Sequence, residues 1–129
     1  MAEIKTVITG AVTMRKLVGA PTCSEVMNAL RDYYGGQPTR LVVWDLTDGS
    51  LALLTSSDLQ TLAEFVQQHA HARPGGKTAL VAPTDLEFGM SRVLDTFAQL
   101  HDIPLEVASF RSLAEAAQWL GVGDLPVME

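Results

Sequence analysis

Two short stretches constrain this chain most: "RLVVWDL" at 40–46 and "KTALVAP" at 77–83. Both are apolar on either parity, the pattern of a strand covered on both faces. Helical stripes surround them. Val26, Ala29, Leu30 and Tyr33 fall at i, i+3, i+4 and i+7, between Pro21 and the Gly35–Gly36 pair. Residues 56–71 repeat the stripe with Leu59, Leu62, Ala63 and Val66. "DLEFGMSRVLDTFAQLH" predicts a third helix with Met90, Val93, Leu94, Phe97 and Leu100 inward. "IPLEVASF" reads as a less buried strand. "SLAEAAQWLG" closes with Leu113, Ala116, Ala117 and Leu120 on one face and Gly121 as a stop. At the front, "EIKTVITG" and "AVTMRKLVGA" read as a half-buried strand pair at a sheet edge, turning near Gly10.

The resulting order is ββαβαβαβα. Strand–helix–strand units with short connections imply parallel neighbours, so the expected fold is α/β, with a mixed, mainly parallel sheet and about four helices. The 129 residues suit one domain: a hairpin over 3–19, βα units over 20–121 and a short tail over 122–129.

Charge narrows the partners. The net charge of −6 and pI near 4.9, with Lys and Arg scattered, disfavour nucleic acid and anionic membrane surfaces. A single cysteine, Cys23, permits no intramolecular disulfide and fits a reducing compartment. "MAEIKTVITG" lacks the basic and apolar regions of a signal peptide, and runs such as "LALL" are too short to span a bilayer. The expectation is a cytoplasmic protein without membrane insertion.

"GGKT" at 75–78 imitates the end of a phosphate-binding loop. Position 71, where that loop needs glycine, is His, and a strand follows instead of a helix, so a turn is the reading. His69 and His71 point about 200° apart on a helix and cannot share one ion. With His101 they read as side chains near helix C-termini. Cys23 reads as a partly buried thiol at a helix start with no base nominated. Trp44 and Gly89 read as packing features, the glycine admitting a close neighbour. Tyr33 is expected inward and Tyr34 outward. No cofactor and no metal are expected.

Topology nominates a ligand edge. Open parallel sheets bind ligands at the carboxyl ends of their strands, which here carry Asp45, Thr84, Asp85 and Arg111, with Arg92 two turns into the third helix. The competing reading makes Thr84 part of a T-x-x-E capping box, with Arg111 and Ser112 beginning the last helix. "LLTSSDLQTL" at 53–62 starts the second helix. Thr55-x-x-Asp58 and Ser57-x-x-Gln60 are alternative capping boxes there.

"VVWDL", "SSDLQTLAEFV", "KTALVAPTDLEFGMSRVLDTFA" and "FRSLAEAAQWLG" resemble the SpoIIAA-like, or STAS-like, group of small bacterial proteins, over about residues 40 to 121. "VAPTDLEFGMSR" resembles its uncharacterised branch most. The resemblance implies a four-helix, mixed-sheet domain, distantly similar to CRAL-TRIO lipid-transfer domains. It also implies a partner or regulatory surface at Ser56, Ser57 and Asp58, because regulatory relatives phosphorylate a serine at the second helix start. Ser57 stands at that position. Thr55 replaces the family's aspartate and Asp58 its glycine, so the phosphoserine motif is not well preserved.

Two functions follow as expectations. One is a non-enzymatic protein-interaction module binding a protein partner, with a homodimer through the hairpin edge or helices as a further option. The other is a carrier of a small apolar or lipid-like ligand. A catalytic constellation is not visible, so an enzyme is not expected. A buried apolar cavity would favour the carrier. Exposed Leu53 and Leu54 would favour the partner. Asp45, Asp85 and Arg111 within hydrogen-bond reach of one another would favour an enzyme.

Overall fold

In the computed structural model, which describes residues 2–100 and 103–126, the chain opens with an antiparallel hairpin. β1 (Glu3–Thr9) and β2 (Val12–Gly19) pair with Thr9 opposite Val12. Gly10 takes φ 59° in the turn, a left-handed conformation that costs glycine little. Then come α1 (Cys23–Gly35), β3 (Leu41–Gly49), α2 (Ser56–His69), a 3-10 turn (Ala70–Ala72), β4 (Lys77–Val81), α3 (Asp85–Leu100), β5 (Glu106–Phe110) and α4 (Leu113–Leu120). This is the expected element order.

The five strands lie in spatial order β1-β2-β3-β4-β5, with β1 antiparallel and the rest parallel. Arg15 stands opposite Trp44, Trp44 opposite Leu80, and Leu80 opposite Ser109. Each parallel strand lies beside its sequence neighbour, so crossovers of one hand place their helices on one face. Val26 and Leu30 of α1, Leu59 and Leu62 of α2, and Leu94 of α3 accordingly share a cluster with Leu17 and Leu46. Ala116 and Leu120 of α4 cover the other face against Val12, Met14, Val43 and Val81.

Local chemistry explains the element ends. Thr22 and Glu25 form a reciprocal capping box on α1, and Ser112 caps α4, which stops at Gly121 with φ 73°. The buried face of α1 is Val26, Ala29, Leu30 and Tyr33, as the spacing predicts. On α2, Leu59, Leu62 and Ala63 are buried and Val66 is half-buried. The glycines of "GGKT" form a turn, with Gly75 at φ 67°, and Lys77 begins β4.

Two expectations need correction. β2 is not half-buried: β1 and β3 flank it and helices cover it, so Thr13, Arg15 and Lys16 are buried with Val12, Met14 and Leu17. The inner face of α3 is Glu87, Ser91, Asp95 and Ala98, whereas Val93 and Leu100 face outward, 37% and 73% exposed. Met90, Leu94 and Phe97 are half-buried flankers. Polar partners set this rotation. The Leu51 N–H donates to Glu87 Oε1 at 3.2 Å, and Ser109 Oγ donates to Asp95 Oδ2 at 3.0 Å. Gly89 meets nothing within 4 Å of an added Cβ, so a close neighbour does not explain it. His101 and tail residues 127–129 lie outside the described residues.

Candidate ligand cavity

The packing of α1, α2 and α3 on the sheet leaves a cavity of about 130 Å³. Its walls are the side chains that form these elements, among them Leu17, Leu30, Trp44, Leu59, Leu80 and Leu94. Such a lining does not hold water on its own, because a buried water needs about two to four polar partners. Arg15, Arg73 and Ser91 also reach the cavity.

Arg73 belongs to the scaffold. Its Nε donates to the Thr39 carbonyl at 2.8 Å, and its Nη2 to the Arg40 and Lys77 carbonyls at 2.9 Å each. Its Nη1 donates to Thr78 Oγ1 at 2.9 Å and Tyr34 Oη at 3.5 Å. One planar fork thus ties the end of α2 to the amino ends of β3 and β4.

Arg15 differs. It is 8% exposed, its Nη1 donates to the Ala29 carbonyl at 2.9 Å, and its guanidinium lies 5.6 Å from the Tyr33 ring and 5.7 Å from the Trp44 ring. Among the described residues its Nε has no hydrogen-bond partner. Among the described residues no carboxylate forms an ion pair with it. Burial lowers its pKa, against the opposing influence of Asp32. Ser91, fully buried on α3, also has no partner for its Oγ among the described residues. Its neighbour Asp95 carries an unpartnered Oδ1, and burial raises its pKa against the Ser109 hydrogen bond and Arg92.

Of the residues expected at the ligand edge, Asp85 and Arg111 meet each other, and Asp45, Thr84 and Arg92 bond elsewhere. Asp45 is buried and accepts from the Thr47 backbone N–H and hydroxyl. Asp85 pairs with Arg111 at 2.8 Å on the surface. Arg92 lies 3.8 Å from Asp95 on its own helix, and Thr84 Oγ1 donates to Glu87 Oε2 at 3.5 Å. The physical reason is the strand order. A crevice opens at strand ends where the order reverses, and the parallel strands here run without reversal.

At the start of α2, Thr55 and Asp58 form the capping box, and Ser56 and Ser57 are exposed. Leu53 is 57% exposed, but Leu54 is buried. Half-buried Cys23 lies near Asp58, and burial together with that carboxylate pushes the thiol up, away from the thiolate. His69 places Nδ1 2.9 Å from the Phe65 carbonyl and stacks on the Phe65 ring. Tyr34 turns inward rather than outward, edge-on to Tyr33 and lining the cavity. No helix among the described residues is long and apolar enough to cross a membrane.

Arg15 and Ser91 were not singled out from sequence. The available signals were an Arg-Lys pair inside an apolar strand and the i, i+4, i+8 spacing of Glu87, Ser91 and Asp95.

No family model matches the chain, and no curated protein matches it. Among solved structures, it is similar to an uncharacterised protein of the DUF3478 family with a SpoIIAA-like fold from Shewanella loihica PV-4. The identity is 22%, the match covers 92% of this chain and 93% of that one, and the TM-score is 0.54. At that identity the likeness shows the fold, which is SpoIIAA-like, as the sequence resemblance implies.

Proposed function

We propose that this SpoIIAA-like domain is a non-enzymatic carrier of a small apolar ligand, held between the sheet and helices α1–α3. The carrying observation is the apolar cavity itself, whose lining also includes Arg15, Arg73 and Ser91. Ligand sites combine an apolar lining with a few polar groups that fix orientation. Asp85 and Arg111 pair with each other on the surface while Asp45 and Arg92 make contacts elsewhere, which supports a binding role over a chemical one.

Thermal unfolding with and without saturating benzene tests the reading, because a ligand that binds only the folded state raises Tm. Benzene should raise Tm of the wild-type protein and leave Ala63→Leu, which extends a cavity-lining residue, unshifted. No shift in the wild type would sink the proposal.

A second reading, a protein-interaction module at the start of α2, is favoured by exposed Leu53 beside exposed Ser56 and Ser57. A pull-down from the native host with Ser57→Asp as comparison tests its switch form: identical partners for both proteins would rule the switch out.

A further inference from the structure

We infer that the outer face of α3 binds the α3 of a second copy of this chain, the two helices running antiparallel. The surface lies outside the cavity and is independent of the carrier reading. With Glu87, Ser91, Asp95 and Ala98 turned to the sheet, the opposite face carries Leu86, Gly89, Val93, Thr96 and Leu100. These residues are spaced 3, 4, 3 and 4 apart, the seam of a helix that packs lengthwise on another. Leu86, Val93 and Leu100 are 60%, 37% and 73% exposed, and among the described residues every exposed large apolar side chain on a helix belongs to this seam.

The two small seam residues are suited to a close partner. Glycine is unfavourable inside a helix, and nothing in the chain lies within 4 Å of a Cβ added at Gly89. The close approach of a second helix supplies the reason for glycine that the chain itself does not. Thr96 Oγ1 donates to the Arg92 carbonyl at 3.0 Å, so its hydroxyl is satisfied within the helix and can leave water at little cost.

The order of large and small side chains selects the partner and the orientation. A two-fold contact sets a surface against itself, so the surface must be its own complement. Two parallel α3 helices would place leucine on leucine and Gly89 on Gly89, leaving a void at the glycine layer. In an antiparallel pair the two kinds of seam position exchange. Val93 then stands against Gly89 of the other copy with Leu86 against Thr96, or against Thr96 with Leu100 against Gly89. Large meets small in either register.

Charge agrees with this choice. The chain carries −6, so two copies repel over most of their surface, and the seam holds no charged residue. Asp85 and Arg92, beside the seam, make ion pairs within the chain, with Arg111 and Asp95. A seam of about 21 Å is small beside a standard interface, so the dimer should be of micromolar affinity.

Sedimentation velocity of the full chain across about 1 μM to about 1 mM tests the assignment. The wild type should shift from monomer to dimer over that range. Val93→Glu, which puts a carboxylate in the seam, should weaken association at least about 100-fold while leaving Tm of the monomer unchanged. Gly89→Leu reads the orientation, and its folding is safe because leucine is a good helix former with open space around it. It should abolish the antiparallel dimer by collision with Val93 or Leu100 of the other copy. A dimer tightened by Gly89→Leu would overturn the antiparallel arrangement, and one unmoved by Val93→Glu would overturn the surface. A wild type that stays monomeric at every concentration would overturn the dimer and leave the seam to a different partner.

Discussion

Thr55 and Asp58 satisfy each other's backbone: the Asp58 N–H donates to Thr55 Oγ1 at 3.1 Å, and the Thr55 N–H donates to Asp58 Oδ2 at 2.9 Å. The reciprocal pair removes two unsatisfied donors from the first turn of α2. Thr55→Ala should therefore cost about 1 kcal/mol in urea unfolding. Ser57→Ala should cost much less, because the Ser57 contact recorded at this end uses its carbonyl, which accepts from Thr61 Oγ1. A larger loss in Ser57→Ala would move the cap by two residues.

Arg73, 3% exposed, should be costly to replace. Arg73→Met removes one donor each from the Thr39, Arg40 and Lys77 carbonyls and the Thr78 hydroxyl, although the Thr39 carbonyl keeps the Tyr33 O–H and the Arg40 carbonyl the Lys77 N–H. At about 1 kcal/mol for each lost bond, the sum is about 4 kcal/mol, a fall in Tm of roughly 10–20 °C. Arg73→Lys should recover only a minor part, since one ammonium cannot span the same acceptors.

Gly49 and Gly89 should respond to alanine with opposite signs. A Cβ at Gly49 would lie 2.6 Å from Leu17 Cβ and 2.8 Å from the Leu17 carbonyl oxygen, so β2 and β3 would have to move apart. Gly49→Ala should cost about 1–3 kcal/mol. Gly89 sits in α3 with open space beside it, so Gly89→Ala should stabilise by up to about 1 kcal/mol. Paired urea titrations measure both.

Asp95 predicts a pH dependence of definite sign. Burial raises its pKa in the folded chain, against the smaller opposing influence of Ser109 and Arg92. The folded state therefore holds the proton more tightly than the unfolded state. The associated stability is fully present below the ordinary carboxylate range, about pH 3.9, and is lost as pH rises through the higher folded value. Asp95→Asn should stabilise the protein at neutral pH and show no advantage below about pH 3.9. An advantage that grows with acidity would contradict this.

Much of the fold was legible because burial and periodicity agree where the core is apolar. The α1 stripe, the two-sided strands at 41–46 and 77–81, and the caps at Thr55 and Ser112 all follow from residue type and spacing. The rotation of α3 was not legible. Apolar spacing favoured Val93 and Leu100 inward, while the observed inner face is fixed by polar partners on other elements, Leu51 N–H and Ser109. The cavity was hidden for a related reason. Arg15 reads as a surface residue until β1 and β3 are known to flank its strand on both sides. That Asp45 and Arg92 bond apart from the Asp85–Arg111 pair was not legible either, because spatial strand order is not written in local periodicity.

That strand order also bears on how the chain reaches its structure. Every parallel pairing joins strands adjacent in sequence, so each closes a loop of roughly thirty to forty residues. No strand waits for a distant segment to be inserted between its neighbours. The sheet can grow from the hairpin one unit at a time, each new strand finding its edge already presented and each helix covering the pair it has just joined. Folding should then be fast for a mainly parallel sheet, and emergence from a ribosome would follow the same direction as assembly.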